Sequence, residues 1–188
     1  MLIIGITGTL GAGKGTVVEY LTKERGFDHY SVRAYLLEEI KLRGMAENRD
    51  SMFNLANELR AQHGPSYVTD QLYLKAAESG NNCIIESIRT PGEIVSLREK
   101  GNFFLFAVDA DPQLRYKRIV ERQSETDRIS LATFIENESR EMNTSDPNRQ
   151  NLKACIQEAD FVFNNDGTRE ELFSAVEKAL PVVTHPKL

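Results

Sequence analysis

The stretch GITGTLGAGKGT, Gly5 to Thr16, decides how the rest of this chain is read. It nearly spells the phosphate cradle G-x-x-x-x-G-K-[ST], with Gly8, Gly13 and Lys14 in place. Gly15 stands where the hydroxyl is expected, and Thr16 supplies it one residue later. Such a loop works only if it leaves a strand and opens a helix, because backbone N–H groups and the helix N-terminus must both face the phosphates. The flanks meet that condition. MLIIGIT before the loop is an Ile-rich, glycine-bounded run that reads as a buried strand. After it, Val17, Val18 and Leu21 repeat with helical spacing over Thr16 to Arg25, and Gly26 is placed as the cap. The expected cradle is the backbone from Gly8 through Leu10, Gly11, Ala12, Gly13 and Gly15 to Thr16, and Lys14 reaches the β- and γ-phosphates as a mobile charge.

Outward from the loop, helices and strands alternate. Helices are expected over Val32 to Gly44, after an N-cap at Asp50 to Gly64, and from Pro65 to about Ser79. NCIIESI and NFFLFAVDA are nearly continuous apolar runs, as strands buried on both faces should be. DPQLRYKRIVERQ and DPNRQNLKACIQEA open with Asp-Pro helix signals, DFVFNN is a last strand, and TREELFSAVEKAL a last amphipathic helix before a loose PVVTHPKL tail. Alternation of this kind implies a parallel sheet covered on both sides.

The 188 residues fit one domain with a substantial core. A net charge of -5 argues against a general nucleic-acid or membrane binder, since both attract a basic surface. No run approaches the ~18 apolar residues of a membrane span, and nothing resembles a signal peptide. The two cysteines, Cys83 and Cys155, match no metal spacing, and Cys83 in its apolar run reads as a buried thiol. A reducing, cytoplasmic setting is the expectation.

Two further elements carry chemistry. Arg115, Arg118 and Arg122 recur at i, i+3 and i+7, so they share one helix face. Phosphoryl transfer depends on positioning and charge neutralisation, and a kinase must also keep water from the γ-phosphate, often with an arginine-bearing lid. Glu86 ends an apolar strand in CIIESIRTPGE, which places it at the crevice beside the first loop, where a carboxylate can hold Mg²⁺ or its waters. Arg49 and Arg60, eleven residues apart, fall on one face of their helix, an arrangement suited to a phosphate.

The loop GxxGxGKGT resembles that of adenylate kinases and related small-molecule kinases, where Gly follows the Lys and Thr comes next. The resemblance puts Thr16 near the phosphates or their Mg²⁺, directly or through water. Arg118 and Arg122 are similar to the R-x-x-x-R at the lid edge of those enzymes, with 123–130 as the lid turn and Arg140 on the returning helix. ESIRT is similar to their DGFPRT segment, which implies that Arg89 contacts an acceptor phosphate. In place of their S-T-G-D-x-L-R clamp the chain has YSVRAYLLEE: Ser31 and Leu36 match, Leu37 stands at the expected Arg, and Arg33 comes earlier. The segment with Arg49 and Arg60 resembles the insert of deoxynucleotide kinases and of an archaeal-type kinase-like group of unassigned substrate. The second half is similar to dephospho-coenzyme A kinase, in which the equivalent of NNDG passes near the adenine ring and implicates Asp166 and Gly167.

The expectation is therefore an α/β chain, one three-layer P-loop kinase domain over 1–188. It has a parallel sheet of about five strands, a helical acceptor-binding insert near 31–80 and a short lid near 123–130. It would move the γ-phosphoryl of ATP to a nucleotide-type acceptor with Mg²⁺ as cofactor. Lys14, Arg118, Arg122 and Arg89 are the expected catalytic residues. Arg33, Arg49, Arg60 and Arg89 would bind the acceptor, and Thr16 and Glu86 would serve the metal. The partners are ATP and a small phosphorylated acceptor, with no nucleic acid and no membrane, and the chain is a monomer or homodimer. Two alternatives stay open: a dephospho-coenzyme A kinase, and a nucleotide-dependent switch or ATPase with no small acceptor. A hydroxyl acceptor would want a nearby carboxylate, which here has to be Asp28; that residue pointing into the site would favour it.

Overall fold

A computed structural model of the protein describes residues 1–122 and 129–184. Its strands are β1 (Ile3–Gly8), β2 (Asp28–Ser31), β3 (Cys83–Glu86), β4 (Phe103–Asp109) and β5 (Phe161–Asn164). They form one sheet, ordered β2-β3-β1-β4-β5, with every neighbouring pair parallel. The register sets Ile6 opposite both Glu86 and Phe106, and Ser31 opposite Glu86. The carboxyl ends of the strands therefore share one edge, where ligands bind in open α/β sheets.

Nine helices lie among the described residues. They are α1 (Lys14–Arg25), α2 (Val32–Leu42), α3 (Arg49–His63), α4 (Tyr67–Ser79), α5 (Pro91–Glu99), α6 (Pro112–Arg122), α7 (Leu131–Met142), α8 (Leu152–Gln157) and α9 (Arg169–Thr184). Successive β1 residues feed opposite cores, as a period of two requires. Ile4 and Ile6 pack with Val17, Val18 and Leu21 of α1 and Val176 and Leu180 of α9. Ile3 points the other way, into a core built with Leu36 and Ile40 of α2, Leu55 and Leu59 of α3, and Val68 and Leu72 of α4. The helical segment between β2 and β3 thus shares the core of the sheet on that side. Cys83 is fully buried, and burial pushes its thiol up to about 11.

Several local expectations needed correction. Helix α3 is capped by Asn48, whose side chain accepts from the Ser51 N–H, while Asp50 sits in the first turn and pairs with Arg140. Helix α4 starts at Tyr67, two residues beyond Pro65. In DPNRQNLKACIQEA only Leu152–Gln157 is helical; Asp146 instead accepts from the Asn148 N–H and pairs with Arg149, closing a local turn. The last helix runs through Pro181 to Thr184, four residues into the expected tail, because Leu180 and Val183 are buried against the sheet. Residues 123–128 of the expected lid turn, and 185–188, lie outside the described residues.

Asp28 opens β2, at the edge of the sheet opposite the loop, and its Oδ2 accepts from Ser79 Oγ at 2.7 Å and Asn81 Nδ2 at 3.2 Å. It is not placed to serve a hydroxyl acceptor. Among the described residues no helix is long and apolar enough to cross a membrane.

Candidate active site

The loop between β1 and α1 is shaped by its glycines. Gly8 has φ 137°, and a Cβ there would lie 2.0 Å from the Val108 carbonyl oxygen of β4. Gly13 has φ 102°, and its Cβ would lie 2.3 Å from Asn165 Nδ2. Both positions therefore admit only glycine. That same Nδ2 donates to the Ala12 carbonyl at 2.8 Å, and the Asn165 N–H donates to the Asp109 carbonyl. The turn after β5 thus ties the phosphate loop to the far side of the sheet. Gly15 is different: a Cβ there would meet no protein atom within 4 Å, so packing does not demand a glycine in place of the usual hydroxyl.

Lys14 opens α1, and its Nζ donates to the Gly8 and Thr9 carbonyls, each at 2.9 Å. Burial, with help from the Arg89 charge, lowers its pKa to about 7. A helix N-terminus, three glycines and a lysine on one side of a cavity form a site for anions.

The cavity has a volume of about 590 Å³. Leu10, Gly11, Gly13, Lys14, Gly15 and Thr16 make one wall. Gly8 and Ala12 support that wall from behind, both buried. Facing it, α6 contributes Arg118 and Arg122, and β3 with its following turn contributes Glu86, Ser87 and Arg89. The insert closes the other end with Val32, Arg33 and Leu36 of α2, and Arg49, Met52, Phe53, Ala56 and Arg60 of α3. The expected catalytic, acceptor and metal residues therefore meet in one space. Asp166 and Gly167 do not: Asp166 is exposed and accepts from the Asp111 N–H, bracing the turns beside the loop. Arg115 is also diverted from its helix-mates, buried with Nη1 on Glu138 at 2.6 Å and Nε donating to the Ala110 carbonyl. It also donates to the Leu10 carbonyl, so it fixes the loop rather than facing the cavity.

Glu86 Oε2 accepts from the His29 Nε2 N–H at 3.1 Å. Burial pushes its carboxyl up, but the His29 hydrogen bond and the Lys14 and Arg89 charges outweigh that and hold it below the usual carboxylate value. The residue after it, Ser87, has φ 74° and is the one non-glycine residue with positive φ among those described. Strain of that kind gathers where a turn must present groups to a ligand. The Thr16 hydroxyl and the Glu86 carboxylate are hard oxygen donors of the sort Mg²⁺ takes. Among the described residues no cluster of three or more His, Cys, Asp or Glu could hold a metal ion.

Glu141 and Gln150 are among the cavity residues that were not anticipated from the sequence. Glu141 of α7 is 5% exposed and bridges Arg49 Nη2 and Arg89 Nη1, the latter at 3.2 Å. Burial pushes its carboxyl up, and the two guanidinium charges more than reverse that. Gln150, 8% exposed, lies in the turn before α8 and also lines the cavity. Neither stands in a sequence pattern; only the fold brings them to the loop.

Comparison with known proteins agrees with this fold. A family profile described as an AAA domain matches residues 4–144. A UPF0200 protein of Methanococcus vannielii is 30% identical over 169 residues, covering 88% of each chain. Among solved structures, shikimate kinase from Aquifex aeolicus superposes with a TM-score of 0.57 at 13% identity, covering 99% of this chain and 100% of that one. Dephospho-CoA kinase from Campylobacter jejuni gives a TM-score of 0.51 at 15% identity, covering 96% of each chain.

Proposed function

The chain belongs to the AAA-domain family and to the UPF0200 family, and from that premise we propose that it is an ATP-dependent phosphotransferase acting on a nucleotide-type acceptor. The observation that carries the proposal is the single cavity joining the phosphate loop to an arginine-rich second end. A binding module or simple switch needs only the first end. Arg49 and Arg89 share one carboxylate, Glu141, so that end keeps a net positive charge, which suits a second anion.

In this reading the loop backbone and Lys14 hold the donor phosphates. Arg118 and Arg122 approach from α6 and Arg89 from the turn after β3, neutralising charge that develops on the transferred group. Thr16 and Glu86 would hold Mg²⁺, which when bound offsets the charge of the β- and γ-phosphates. An ionised phosphate acceptor needs no general base. The position of Asp28, turned to Ser79 and Asn81, therefore favours such an acceptor over a hydroxyl.

The test is ADP release from Mg·ATP against a panel of ribo- and deoxynucleoside monophosphates plus dephospho-coenzyme A. One nucleotide should stimulate release strongly and appear as its phosphorylated product, and Lys14→Ala should abolish that turnover. Slow release that no acceptor stimulates would replace the phosphotransferase by the switch reading. Wild-type rates in Lys14→Ala would remove the site itself.

A further inference from the structure

Arg60 was expected to grip an acceptor phosphate, but its surroundings suit a neutral group. Its side chain is 1% exposed, and Nη2 donates to Glu93 Oε1 at 3.0 Å. Glu93 is 0% exposed and also accepts from the Arg89 and Thr90 N–H groups, the second of these closing a capping box at the start of α5. The charge of Arg60 is thus already answered by a fixed carboxylate. Its Nε and Nη1, however, have no partner although both are buried. Buried donors without partners are rare, because each forfeits its hydration.

A complementary orphan lies in the same cavity. Gln150 Oε1 is buried, lacks a hydrogen-bond partner, and belongs to a cavity-lining residue. Two unpartnered donors and one unpartnered acceptor, on side chains more than nine-tenths buried, mark a built polar subsite. Beside its arginines, the insert lines the same cavity with the apolar side chains of Leu36, Met52, Phe53 and Ala56. Flat apolar walls with a few placed polar atoms suit a neutral heterocycle rather than a sugar, whose hydroxyls would leave many groups unpaired.

We propose that Arg60 and Gln150 read the hydrogen-bonding edge of the acceptor's nucleobase, while Arg49 and Arg89 take its phosphate. The ring presents a carbonyl oxygen or ring nitrogen to Arg60 and an N–H to Gln150 Oε1. This assignment rests on the phosphotransferase reading and narrows its acceptor to a nucleoside monophosphate with base selectivity. It moves Arg60 from charge neutralisation to specificity. The division follows from charge: the Arg60–Glu93 pair is neutral as a unit, whereas Arg49, Arg89 and Glu141 together are positive.

The experiment is calorimetric titration, without ATP, of CMP, UMP, AMP, GMP and their deoxy forms, with ribose 5-phosphate as the probe that lacks a base. One nucleotide should bind at least about a hundredfold more tightly than ribose 5-phosphate, since only a base can pair these buried groups. Gln150→Met, close in volume and with no acceptor oxygen, should narrow that margin about tenfold. Gln150→Glu, which keeps the volume and an acceptor oxygen, should retain more of the margin than Gln150→Met. A thermal melt of each variant reports whether it folds. Equal binding of ribose 5-phosphate and every nucleotide overturns the inference, as does an unchanged margin in a folded Gln150→Met. Turnover on an acceptor without a base would also overturn it and leave the phosphotransferase standing. Base-selective binding without turnover would support the subsite and count against the phosphotransferase alone.

Discussion

Lys14 shows how one side chain carries both fold and chemistry. It opens α1, folds back on the Gly8 and Thr9 carbonyls, and lies where burial lowers its pKa to about 7. In the free protein the amine is therefore charged below pH 7 and increasingly neutral above it. A bound triphosphate favours the charged form, so binding above pH 7 must take up a proton. Two results are expected from titrations of ATP in the free protein. At pH 8 the heat of binding should vary with the ionisation enthalpy of the buffer, in proportion to an uptake approaching one proton. Between pH 7.5 and 9, where ATP itself is fully ionised, affinity should fall by up to about tenfold per pH unit. Buffer-independent heats with a flat affinity would mean that Lys14 keeps its proton in the free state.

At the scale of elements, α7 is tied to the insert and to the turn after β3 by charged side chains. Glu141 ties it to Arg49 of α3 and to Arg89, Arg140 pairs with Asp50, and the Arg140 guanidinium lies 4.1 Å from the centroid of the Phe53 ring. Glu141→Ala leaves two guanidinium groups facing each other, with 20% and 15% side-chain exposure. Breaking a buried pair costs about 3–5 kcal/mol, and partial exposure puts this site nearer 2–3 kcal/mol. For a chain of this size that is a fall in Tm of roughly 4–12 °C. An added anion can occupy the place of the lost carboxylate. Millimolar phosphate should therefore raise the melting temperature of Glu141→Ala by more than it raises that of the wild type. Equal shifts in the two proteins would show that the arginines do not form an anion site.

Across the whole molecule, what was legible in the sequence is what is local. Gly8, Gly13, Lys14 and their strand and helix flanks lie within a few residues of one another, so the loop and the alternation of elements could be read directly. The contacts that finish the site are distant. Asn165 reaches Ala12 across 153 positions, Glu141 reaches Arg49 across 92, and Arg60 finds Glu93 across 33. None of these leaves a periodic or motif signal, so Glu141 and Gln150 went unseen and Arg60 was read as a free charge. The same reason explains Pro181, where tertiary burial of Leu180 and Val183 overrides a helix breaker. Because the loop after β1, the end of β3, the insert, α6 and α7 all line the cavity, a ligand there binds several elements of one cooperative core. Mg·ATP at about 100 times its Kd should then stabilise the native state by ~2.7 kcal/mol, raising Tm by roughly 5–11 °C. A base-selective nucleotide added at saturating concentration should raise it again, because it engages α3 and the turn before α8 rather than the loop. Ribose 5-phosphate should raise it less. If the nucleotide gives no increment beyond that of ATP, the two ends of the cavity do not bind together, and transfer between them would have no structural basis.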